Sequence, residues 1–179
     1  MKGIMRILML LVVVTMVVGC ATYRLESPAY TESNTPDAVR VYVEPYHFVD
    51  GPGVGRLKGD WQRDEYIKSY LAKIMPVVFT DKPNDAAITV VTQKMWYSDV
   101  EVGSRTMLNG KLVKTGVYIR PQWKLADETG FEQMANGDGK LMAELIVRAI
   151  KGQNISSAHA IINHDGHYKF SGITDIKFE

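Results

Sequence analysis

Asn163-His164-Asp165-Gly166-His167 puts two imidazoles and a carboxylate within four positions, with His159 a short step upstream. Imidazole and carboxylate are ligands for zinc. Yet Asp165-Gly166 is itself a turn signal, and a turn seldom aims three neighbouring side chains at one ion. His159 would have to complete the set with His164 and His167, so the stretch reads as a polar surface turn with no metal. A second candidate is the glycine-rich run Asp50, Gly51, Pro52, Gly53, Val54, Gly55. A phosphate-cradling loop needs Lys followed by Ser or Thr, but Lys58 is followed by Gly59 and Asp60. The dinucleotide fingerprint fails as well, because Lys58 stands where its last glycine belongs. A loop between strand and helix remains, and loops of that kind serve as contact surfaces. Asp50, Gly51, Gly53, Gly55 and Trp61 are therefore expected to form a partner-binding loop. The neighbouring carboxylates Asp64 and Glu65 point apart on a helix, which suits solvation and not acid–base work. Neither a Gly-x-Ser-x-Gly elbow nor a His-Glu-x-x-His helix is present. Neither an enzyme nor a cofactor is expected.

Cys20 is the single thiol of the chain, and it ends an apolar run. Lys2 and Arg6 precede twelve residues, Ile7 to Val18, that are uncharged and apolar apart from Thr15. A basic start, a short apolar core and a small-residue exit describe a secretory signal peptide. Twelve helical residues reach about 18 Å, short of the roughly 30 Å of bilayer hydrocarbon, so a membrane-spanning anchor is excluded on length. Val17-Val18-Gly19-Cys20 resembles the lipobox of bacterial lipoproteins, with Val17 where Leu is commoner. The resemblance implies that Val17, Val18 and Gly19 are recognised by signal peptidase II, which cuts before a diacylglyceryl-modified Cys20. It also implies further acylation of the new amino terminus. Each buried methylene contributes about 0.8 kcal/mol, so two or three acyl chains make attachment to the membrane effectively permanent. In lipoproteins an Asp after the cysteine favours retention in the inner membrane. Ala21 follows here, which points to the outer membrane and its periplasmic face.

The chain is expected to divide into a signal peptide (1–19), a lipidated cysteine with a flexible tether (20–38) and a periplasmic domain (39–179). Removal of Lys2 and Arg6 from the 21 basic residues leaves 19 against 20 acidic ones, a formal charge of −1. That balance, without any basic run, argues against nucleic acid as a partner. With Cys20 acylated no thiol is left for a disulfide, so packing alone must hold the domain. Residues 21–38 contain two prolines, many hydroxyl groups and no hydrophobic period, the composition of a flexible linker about 25 Å from end to end.

Within the domain, Val39, Val41 and Val43 alternate with Arg40, Tyr42 and Glu44, as in a half-buried strand that Pro45 ends or bends. Ile67, Tyr70, Leu71, Ile74 and Met75 share one helical face, with Asp60 as the expected cap and Pro76 as the stop. Residues 86–97 read as a central strand, and Asn109-Gly110 is a two-residue hairpin turn. Residues 137–152 offer a second helix with Asp138 as cap and Gly152 as stop. A short helix is expected over 153–163, then a strand to the end. The fold class is α+β: one domain, a largely antiparallel sheet, and two main helices packed on one face.

Asp85-Ala86-Ala87 before a strand, and the later Leu125-Ala126-Asp127-Glu128-Thr129-Gly130 turn, resemble small periplasmic lipoproteins of the curli secretion lipoprotein and TolB amino-terminal type. That resemblance implies bracing or assembly of envelope machinery and carries over no catalytic residue. The expected function is an outer-membrane-anchored, non-catalytic accessory or assembly subunit with an envelope protein partner. The alternative is a carrier holding a lipid or small apolar ligand between helix and sheet, lined by Met75, Met95, Trp96 and Met142.

Overall fold

A computed structural model describes residues 23–48, 59–98, 100–120, 128–165 and 170–179. Val17, Val18, Gly19, Cys20, Asp50, Gly51, Gly53, Gly55 and His167 lie outside the described residues.

Alternation of apolar and polar side chains builds a sheet of seven strands: β2 (Val39–Val43), β5 (Val77–Phe79), β6 (Ile88–Ser98), β7 (Glu101–Leu108), β8 (Lys111–Arg120), β9 (Ser157–His164) and β10 (Phe170–Phe178). Their order across the sheet is β10-β9-β8-β7-β6-β2-β5. The long ladders β6–β7, β7–β8 and β9–β10 are antiparallel. The pairs β2–β5, β2–β6 and β8–β9 are parallel. Parallel neighbours need a crossover. Helix α1 (Arg63–Ile74) lies between β2 and β5 in the chain, and α2 (Glu128–Ile150) lies between β8 and β9. Both helices pack on one face of the sheet and on each other, the α+β arrangement expected from the sequence. Asn109 (φ 49°) and Gly110 (φ 74°) turn β7 into β8 with both residues left-handed, the requirement of a tight hairpin that Asn-Gly meets at least cost.

A small sheet of β1 (Tyr23–Arg24), β4 (Gly59–Gln62) and β3 (His47–Phe48), in the order β1-β4-β3, sits beside the helices. Phe48 and Trp61 from this sheet meet Tyr97 of β6 and Phe131 of α2 in an aromatic cluster with ring centroids 5.0 to 6.5 Å apart. Much of the rest of the core is aliphatic, with Leu71, Met134, Leu141, Met142, Leu145 and Ile146 of the helices and Val41, Val90, Val117 and Ile162 of the sheet in one buried cluster.

Four expectations are corrected. Asp60 caps nothing, since it lies in β4 and α1 begins at Arg63 after Gln62. Asp138 is not a cap either. It lies in the middle of α2, where the flanking glycines serve close packing. A Cβ on Gly139 would stand 2.9 Å from Tyr66 Cβ and 3.1 Å from its carbonyl carbon, and one on Gly137 would crowd Val117 and Ile162. Residues 157–164 are strand β9, not helix, because Ala158, Ala160 and Ile162 alternate into the core. Nor are residues 23–38 a free tether. Leu25 is buried and donates its N–H to Asp60. Glu26 accepts from the Tyr66 hydroxyl, Tyr30 packs edge-on against Phe79, and Ser33 bonds to Val77.

Candidate functional site

Helices cover one face of the large sheet, and among the described residues none covers the other. On that open face the side chains fall into cross-strand rows set by the register. Val91, Met107 and Leu112 form an apolar row, with Leu112 43% exposed. Lys94, Arg105 and Lys114 stand directly opposite one another on β6, β7 and β8, and Ser157 of β9 continues their row. Trp96, Gly103, Gly116, His159 and Lys177 make the next row across five strands. Glu101, Tyr118, Ile161 and Asp175 make the one after it.

The two glycines give this face its shape. A Cβ on Gly103 would lie 2.2 to 2.6 Å from three atoms of the Trp96 indole, so the ring rests against bare backbone. A Cβ on Gly116 would meet the Tyr118 ring at 2.7 to 2.9 Å. Both aromatics are thereby laid along the sheet as half-exposed plates. Glu101 Oε1 accepts from Trp96 Nε1 at 3.4 Å. Arg120 sits over the Tyr118 ring at 5.4 Å, and His159 meets that ring edge-on. Burial, followed by the nearby Glu101 carboxylate, pushes the Tyr118 phenol above its ordinary range, against a smaller opposing pull from Arg120.

The register depends on a bulge. The β6–β7 ladder shifts between Thr92 and Lys94, which leaves Gln93 as an extra residue. Without it Lys94 would share the inward parity of Thr92 and face the core. With it Met95 and Tyr97 point inward while Lys94 and Trp96 point out.

The other faces of the same strands hold the most polar part of the core. The Arg63 guanidinium is fully buried and donates to Asp138 Oδ2 at 2.6 Å and Oδ1 at 3.2 Å. It also donates to Thr92 at 2.5 Å, Thr106 at 3.1 Å and Ser104 at 3.0 Å. Ser104 exchanges a hydrogen bond of 2.7 Å with Thr115. Asp138 is 2% exposed, so solvent and substrate do not reach this pair. Its chemistry is that of a clamp between α1, α2 and three strands.

Trp61 is 0% exposed, stacked among Phe48 and Phe131, and therefore offers no side chain to a partner. His159 faces outward and His164 inward on β9, so the two do not serve one ion. Among the described residues no group of three His, Cys, Asp or Glu side chains is placed to hold a metal. The four residues of the carrier reading do not line one cavity. Met142 is buried under the helices, Trp96 lies on the opposite face of the sheet, and Met75 is half-buried at the end of α1. A shallow groove of about 240 Å³ runs between the Asn109-Gly110 hairpin and the end of α2, lined by Leu108, Lys111, Leu145 and Gln153 among others. No helix among the described residues is long and apolar enough to cross a membrane.

The signal that a sequence reading misses here is Gly103 paired with Gly116. A glycine inside a strand marks a close approach, and only the register reveals that two of them are neighbours. No family model, curated protein or solved structure matches this chain at a significant level.

Proposed function

We propose that the chain is an outer-membrane-anchored lipoprotein that acts by binding, as a non-catalytic accessory or assembly subunit of a cell-envelope complex. The observation that carries the binding role is the open face of the sheet, where Leu112 is exposed and Trp96, Tyr118, Met107 and Ile161 are half-exposed beside cations, with no element among the described residues over them. Antiparallel sheets often leave one face to water, but that face is then polar. Here it is banded with aromatic and aliphatic side chains, the types enriched at the centres of protein interfaces.

The anchor rests on Val17-Val18-Gly19-Cys20. Packing of the chain from Tyr23 onward alters what that anchor does. Three residue steps separate Cys20 from β1, a reach of at most about 11 Å. The domain is thus held close over the headgroups, and confinement in that layer raises its effective concentration toward partners there.

Crosslinking in intact cells, followed by purification and mass spectrometry, tests the reading. One stoichiometric envelope partner is the expected result. A chain recovered without any partner at every crosslinker length would refute the accessory role.

A further inference from the structure

We propose that the contact surface is the open face of the sheet and that its partner presents a flat protein surface rich in carboxylates. The proposal rests on the accessory-subunit reading and deepens it, by naming the face and the partner's chemistry.

The central observation is the row Lys94, Arg105, Lys114. Like charges placed directly opposite on neighbouring strands destabilise a sheet. Strands lie roughly 4.8 Å apart, so three cations occupy a band about 10 Å wide. All three are exposed, and none makes an ion pair or a side-chain hydrogen bond among the described residues. The rows on either side supply no carboxylate: Val91, Met107 and Leu112 flank it on one side, Trp96, Gly103 and Gly116 on the other. Glu101 lies two rows off and is engaged with Trp96, and Asp175 pairs with Lys177 on its own strand at 3.5 Å. This happens in a mature chain with one more acidic residue than basic ones, 20 against 19. Cations are concentrated here while carboxylates are kept away. A carboxylate-rich partner would remove the repulsion within the row and would be steered to it.

Flatness decides between a protein and a bilayer. Trp and Tyr that anchor a protein in headgroups project from its surface with the polar tip in the interface. Trp96 and Tyr118 instead lie down over Gly103 and Gly116 and offer ring faces level with the sheet. A plate of that form is complementary to another flat surface and inserts into nothing. The apolar rows would form the dry centre, with the cationic row between them setting register.

The test places a photo-crosslinking amino acid at Arg105, Lys114, Glu132 or Lys140 of the full chain in cells. The first two are on the open face, and the last two are exposed on α2. Expected are crosslinks from 105 and 114 to one protein, through a peptide in which Asp and Glu outnumber Lys and Arg. With the crosslinker at Leu112, K94E/R105E/K114E is expected to lower the yield at least tenfold, while K94R/K114R keeps it. These positions are exposed, so unchanged thermal unfolding shows that the triple variant folds. Crosslinks only from 132 and 140 would overturn the face while leaving the accessory reading intact. Crosslinks from 105 and 114 to lipid, or to a peptide without acidic excess, would overturn the partner's chemistry. Silence at all four positions would overturn both.

Discussion

Arg63, the first residue of α1, and Asp138, in the middle of α2, are joined by hydrogen bonds of 2.6 and 3.2 Å with both side chains almost wholly buried. The remaining donors of the guanidinium reach Thr92, Ser104 and Thr106 on β6 and β7. Taking two charges out of water costs several kcal/mol each, and only such complete pairing offsets that cost. The pair ties both helices to the strands whose other faces form the open surface, so it fixes the platform on which that surface is built.

Asp138→Asn leaves a guanidinium uncompensated in the core. A loss of about 3–5 kcal/mol is expected, a large share of the roughly 5–15 kcal/mol of a typical domain. Arg63→Met combined with Asp138→Leu is expected to cost less than the two single changes added together. Urea denaturation measures all three. Strict additivity would show that the two residues do not act as a unit.

Gly139→Ala forces α1 and α2 apart, because the new methyl group meets the backbone of Tyr66. Overpacking of this kind costs about 1–3 kcal/mol. Lys140→Ala, on the exposed side of the same helix, is expected to change the denaturation midpoint hardly at all. Equal effects at the two sites would refute the close approach.

Gly103→Ala displaces the Trp96 indole and breaks its contact with Glu101. The expected readout is a shift of the Trp96 indole N–H resonance in a nitrogen-15 correlation spectrum. A smaller loss of stability than for Gly139→Ala is also expected, since the ring can lift into open space. An unmoved resonance would mean that the ring does not lie on Gly103.

Tyr30, Tyr70 and Tyr118 are all held above the ordinary tyrosine value of 10.0, burial being the largest cause in each. At Lys68 burial pulls downward, but the hydrogen bond to Glu65 and the charges of Glu65, Tyr30 and Asp64 together outweigh it and hold the ammonium above its ordinary 10.5. In every case the folded state keeps its proton longer than the unfolded one. This stability is fully present below the unfolded values and is lost as the pH rises through the folded ones. Thermal unfolding is therefore expected at lower temperature from about pH 10 upward. Replacing the three tyrosines with Phe should flatten that decline, and phenolate absorbance locates the folded titrations.

Cys20→Ala removes the sulfur that the lipobox reading requires. The wild-type chain should have the mass of residues 20–179 plus acyl groups and sediment with membranes. The variant should keep residues 1–19. A wild-type mass that includes those residues would refute the anchor.

Local pattern alone made several elements legible. Val39, Val41 and Val43 mark a strand by period two, Pro76 stops a helix, and Asn109-Gly110 adopts the two left-handed conformations of a tight turn. The strand at Ala158, Ala160 and Ile162 carried the same period, and reading it as helix missed that signal. Asp138 looked like a cap because short polar residues beside glycine often are. Its purpose became visible only with α1 in place, since a buried carboxylate is defined by the cation it meets. Trp61 followed the same rule, entering the core because Phe48 and Phe131 converge on it.

The sequence by itself determined the α+β class, the two main helices and the Asn109-Gly110 turn, because those depend on residues a few positions apart. Only the tertiary structure decided the open face. Residues 94, 105 and 114 become neighbours through ladder register, and one extra residue at Gln93 turns Lys94 and Trp96 outward. Side chains alternate with period two, so a shift of one residue exchanges the two faces of a strand. No local pattern in the chain states which register wins. Packing of the whole core against α1 and α2 does.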